Sequence, residues 1–102
     1  MENKKIVLSR PVIVNGKEIT ELEVRPVTVG DEEDAMQDAV NMKRSKNSVT
    51  VEMCVFARAT RLPFDAIRSM RSIDYVKIRQ AVNQMNGLAP QEENDEDPTT
   101  RI

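Results

Sequence analysis

Ala59-Thr60-Arg61-Leu62-Pro63-Phe64-Asp65-Ala66-Ile67-Arg68-Ser69-Met70-Arg71-Ser72-Ile73-Asp74-Tyr75 holds the end of one helix, the whole of a short second one and the start of a third. Proline lacks the amide that a helix interior needs and its ring clashes with the preceding turn, so the helix running into Thr60 must stop before Pro63. Its fixed φ suits the first position of a new helix, in which Phe64, Ile67 and Met70 fall inward. Ser72 then caps a last helix over 73–86. Tyr75, Ile78, Ala81, Val82 and Met85 share one narrow arc of it, and Gly87 closes it where a left-handed residue is favoured.

Upstream, residues 49–61 have two readings. Val49-Thr50-Val51 would suit a strand, whereas Met53 through Ala59 reads as helix. We take helix. Its apolar residues go almost all the way round the wheel, with Val49, Met53, Phe56 and Ala57 on one side and Val51, Val55 and Ala59 on another. Such a helix is either the central one of its domain or carries a face for a partner. With Met53 and Phe56 inward, Val51, Val55 and Ala59 become the candidate partner-binding residues.

Further upstream, Thr28-Val29-Gly30-Asp31 opens a first helix, with Thr28 as N-cap and Asp31 completing a capping-box variant. Asp31, Glu32, Glu33 and Asp34 crowd its start and Lys43, Arg44 and Lys46 its end, both complementing the helix dipole. Met36, Ala39 and Val40 are its expected buried stripe. Before it, residues 5–14 and 18–25 are rich in β-branched side chains and flank Asn15-Gly16, a hairpin signal. A two-residue turn would set Leu8 opposite Glu23. A three-residue loop, Val14-Asn15-Gly16, sets Leu8 opposite Leu22 and Ile6 opposite Val24, and its coherent apolar face makes it the expected register. Pro11 has no ladder donor and marks an edge or a bulge.

The elements add up to an α+β domain over residues 1–87, an N-terminal β-hairpin packed on a small bundle of about four helices. From Leu88 onward, Pro, Asn and acidic residues dominate, and 88–102 reads as a disordered acidic tail. The charge is uneven. Of 15 basic and 17 acidic residues, the tail holds Glu92, Glu93, Asp95, Glu96 and Asp97 against Arg101 alone, which leaves a body of +2 and a tail of −4. With six Met, two Phe, one Tyr and no Trp, the core must be aliphatic and adaptable.

Chemistry is nearly absent. There is no histidine, hence neither the commonest general base nor the commonest metal ligand. Three glycines make no phosphate-cradling loop, and consecutive carboxylates at 31–34 diverge too much for a calcium loop. Cys54, between Met53 and Val55, reads as a buried inert thiol, and a lone cysteine suits a reducing cytoplasm. The apolar stretch after Lys4-Lys5 is interrupted by Arg10 and Pro11, too short for a signal sequence, and nothing approaches a membrane span. An enzyme, a metal, a cofactor and a membrane are not expected. One rival class has residues behind it: Arg58, Arg61, Arg68, Arg71, Lys77 and Arg79 lie along three consecutive helices, as in a small helix-turn-helix DNA-binding regulator. Against it, the 61–63 junction lacks a glycine, no Asn or Gln cluster marks a reading helix, and the tail is acidic.

Read in order, a strand ending near Asn15-Gly16-Lys17, a strand ending in Leu22-Glu23-Val24-Arg25, then Thr28-Val29-Gly30-Asp31, Thr60-Arg61-Leu62-Pro63 and Asp74-Tyr75 resemble the small tail assembly chaperones of long-tailed phages of the Mu and P2 type. The resemblance covers residues 5–86. The departure is Arg61, where Gly is commoner. It implies a non-enzymatic protein of the bacterial host cytoplasm, absent from the mature virion, that binds the tape measure protein, keeps it soluble and helps the tail tube protein polymerise around it. It further implies a frameshifted longer form of the chain as a partner, and self-association is compatible with the same apolar face.

Overall fold

The computed structural model describes residues 3–87. Strands β1 (Lys4–Val14) and β2 (Lys17–Val24) precede four helices, α1 (Val29–Asn41), α2 (Ser48–Thr60), α3 (Phe64–Ser69) and α4 (Ser72–Met85). The fold is α+β, a hairpin carrying a small helical bundle. The expected tail at 88–102 lies outside the described residues.

The hairpin turn has two residues, not three. Asn15 and Gly16 have φ of 52° and 79°, the pair of positive values a type I′ turn requires. Val14 therefore faces Lys17 and Val12 faces Ile19, yet further out Ile6 faces Leu22 and Lys4 faces Val24. The expected pairs Leu8–Leu22 and Ile6–Val24 do not form. The register shift arises inside β1, where residues 8–11 oppose Thr20 alone. Of the edge and the bulge that Pro11 allowed, the bulge is present, and it does the work assigned to the longer loop: Leu8, Val12, Leu22 and Val24 are all buried on one face.

That face is covered by α4, with α3 against β1 and α2 against the end of β2. Helix α2 is the central one, in contact with α1, α3 and β2, and Cys54, Val55, Phe56 and Ala59 all sit in the core. Its wheel is apolar nearly all round because it has neighbours nearly all round. Residues 49–51 are helical, started by Asn47, whose side chain accepts from the Thr50 amide at 2.8 Å. The assignment of sides differs from expectation: Val49 is exposed, whereas Val55 and Ala59 are inward at 8% and 1% exposure.

Helix α1 also turns differently. Thr28 and Asp31 form the expected capping box, but the buried stripe is Ala35 and Ala39, four residues apart. These small side chains let α1 pack closely on α2. Met36 and Val40, expected inward, are 52% and 46% exposed. The basic residues Lys43, Arg44 and Lys46 lie beyond the last turn.

At the α2–α3 junction Arg61 adopts the left-handed conformation, φ 61°, and the amides of Arg61 and Leu62 both bond the Ala57 carbonyl. This geometry explains why glycine would suit the position. Pro63 occupies the N-cap of α3, one place earlier than expected. Ser72 is the first residue of α4 and Arg71 stands at its cap position, with no side-chain cap bond. Gly87, φ 80°, follows the last turn as expected.

Candidate functional site

The motif residues act as staples. Asp31 is buried at the start of α1, where its carboxylate accepts from both terminal nitrogens of Arg25 at 2.9 Å each and from the Thr28 amide at 2.8 Å. These bonds, the Arg25 pair foremost, hold it well below the usual carboxylate range. The Arg25 amide in turn donates to the Ala59 carbonyl at 3.0 Å, so one arginine joins β2, α1 and the end of α2. Asp74 is fully buried. Burial pushes its pKa up, but the Ser9 amide and hydroxyl, Lys77 and the Arg10 amide together hold it below the ordinary value. The Ser9 amide is free to donate because the bulge removes it from the ladder.

Tyr75 and Arg79 complete the framework from α4. The phenol donates to Glu52 at 2.8 Å, and the Arg79 guanidinium reaches the same carboxylate at 3.1 and 2.9 Å. Arg79 also lies 5.3 Å from the centre of the Tyr75 ring, and that ring stands 5.0 Å from Phe56. Burial, then the bond to Glu52, pushes the Tyr75 phenol up. The cluster fixes the distance between α2 and α4.

Between α1, α2 and α4 runs a groove of about 560 Å³. Val27, Met36, Val51, Val55, Phe56 and Val82 supply its apolar surface, and Glu32, Lys46, Glu52, Arg79, Asn83 and Asn86 its polar lining. Two of the three residues singled out from sequence meet here, the half-buried Val51 and the buried Val55. Ala59 does not line it and is core. Sequence reasoning missed Met36, which it had placed inside. Val29, Met36 and Val40, at 82%, 52% and 46% exposure, recur at spacings of seven and four and so form one exposed stripe along α1, continuous with the groove through Met36. The available signal was the separate Ala35–Ala39 pair, one step round the wheel.

Other surfaces offer little reactive chemistry. A second cleft, about 350 Å³, lies between α1, α2 and Phe64. Cys54 lines it at 1% exposure, and burial pushes its thiol up, away from the reactive thiolate. Arg58 is bound there to Asp38 at 2.7 and 3.0 Å. No group of three or more potential metal ligands is assembled among the described residues, and none of their helices is long and apolar enough to cross a membrane. Of the six cations suggestive of DNA binding, Arg58, Lys77 and Arg79 are engaged with Asp38, Asp74 and Glu52. The recognition surface that reading needs is thereby halved.

The sequence model of one family, described as "Phage tail assembly chaperone proteins, E, or 41 or 14", matches residues 5–87. No curated protein and no solved structure matches the chain.

Proposed function

Because this chain belongs to the phage tail assembly chaperone family, we propose that it binds the tape measure protein and keeps it soluble until the tail tube assembles around it. The observation that carries this reading is the groove between α1, α2 and α4, extended by the Val29–Met36–Val40 stripe. An amphipathic client helix can lay its apolar face there, and Met36 adapts to varied side chains. A long tape measure protein offers many such stripes, so weak contacts by many copies add up. Clustered apolar side chains on a helix face are otherwise a liability in water, which gives the stripe a reason to be covered.

On this reading the protein acts without catalysis in the host cytoplasm and is left behind by the finished virion. The tail tube protein, a frameshifted longer form and further copies of the chain are the additional partners. The test is co-expression with the tape measure protein. Met36→Glu with Val40→Glu should leave the chaperone folded, as judged by circular dichroism, because both sites face solvent. It should also move the client from the soluble to the insoluble fraction, since an unpaired charge in an apolar contact is costly. A folded double variant that keeps the client fully soluble would remove this surface from the binding site.

A further inference from the structure

A cleft of about 180 Å³ separates the β1 bulge from the α3–α4 junction, with Arg10 and Arg71 among its lining and Val12, Ile13 and Met70 as its apolar part. Neither guanidinium has an ion-pair partner among the described residues. Two arginines beside one small cleft suit a carboxylate-bearing peptide, because each planar fork can take a carboxylate by two parallel bonds.

The chain itself carries such a peptide. Gly87 ends α4 with φ 80°, a conformation that turns the chain off the helix axis. Arg71 stands at the opposite end of α4, about 24 Å away at 1.5 Å per residue. An extended segment covers about 3.3 Å per residue, so a chain running back from Leu88 draws level with Arg71 after about seven residues, near Asn94. The next three are Asp95, Glu96 and Asp97. We propose that Asp95-Glu96-Asp97 docks in the Arg10–Arg71 cleft of its own chain. The tether supplies an effective concentration in the millimolar range, above that of a second copy in dilute solution. The tail's net charge of −4 against the body's +2 favours the same contact.

The test uses the full chain labelled for amide NMR. Neutralising Asp95→Asn, Glu96→Gln and Asp97→Asn together should shift the amides of Arg10, Ile13 and Ser69–Arg71. The unaltered chain should show the same shifts in 1 M salt, where charges are screened beyond about 3 Å, and no change on dilution. Arg10→Gln with Arg71→Gln, both at exposed sites, should move the tail amides to the positions seen in high salt. Cleft amides unmoved by tail neutralisation would overturn the proposal. Shifts that fade on dilution would also overturn it, in favour of the tail of a second copy.

Discussion

Asp74, in the first turn of α4, accepts from the Ser9 amide at 2.8 Å and from the Ser9 hydroxyl at 3.0 Å, across 65 residues of sequence. The bulge that displaces Ser9 from the ladder and the carboxylate that receives it are one device. Without the bulge Asp74 would be a buried charge short of donors, and without Asp74 the Ser9 amide would lack its acceptor.

Replacing Asp74 by Ala should therefore cost about 2–4 kcal/mol, chiefly through the Ser9 amide left unpaired. The fall in midpoint is read by thermal or urea unfolding. Ser9→Ala, which removes only the hydroxyl bond, should cost about 1 kcal/mol. Equal losses in the two variants would show that the backbone bond contributes nothing.

The pH dependence has a definite sign. Asp31 and Asp74 both have depressed pKa values in the folded state, so their contribution is present above the unfolded value of about 3.9. It is lost as pH falls through the lower folded values. Stability should decline below about pH 4, and Asp31→Asn should flatten part of that decline while lowering stability at neutral pH. Denaturant midpoints measured across the acid range decide this.

Arg61 holds a left-handed conformation at φ 61° and is exposed, so its side chain offsets little of the backbone cost. That cost is about 1–2 kcal/mol for an L-residue, against about 0.4–1 kcal/mol of extra unfolded-state entropy for glycine. Arg61→Gly should raise stability by about 0.5–1 kcal/mol, seen as a higher thermal midpoint. A lower midpoint would mean that the guanidinium makes a contact worth more than the strain.

Cys54 should react slowly with a thiol reagent in the native protein and rapidly after unfolding, since it is 1% exposed with its thiol pushed up by burial. Val55→Glu tests the groove floor in the opposite sense from the exposed stripe. A charge at an 8% exposed core position should unfold the domain or cost about 3 kcal/mol or more, whereas Met36→Glu should be nearly silent by circular dichroism. A silent Val55→Glu would place that side chain on a free surface.

The signals legible in the sequence were short-range ones. Asn15-Gly16 marks the hairpin, Thr28 with Asp31 starts α1, Pro63 separates α2 from α3, and Gly87 ends α4, because each acts through backbone geometry within a few residues. Residues 49–51 had two readings in the sequence, and the structure makes them helix behind the Asn47 cap. Of the three residues singled out as candidates, Val51 and Val55 line the groove, while Ala59 is core.

What only the tertiary structure decided was which way each element faces. The register of the hairpin depends on a bulge stabilised by Asp74, far along the chain, and no local count of loop residues contains it. The side of α1 that is buried was settled by the close approach that Ala35 and Ala39 permit against α2, which left the larger Met36 and Val40 outside. Hydrophobicity alone ranks Met and Val above Ala for burial, but packing rewards fit between two surfaces. The second surface here lies on another element of the chain. The sequence by itself thus determined the elements and, within a residue or two, their ends, whereas the groove exists only because three helices meet with faces chosen by their neighbours.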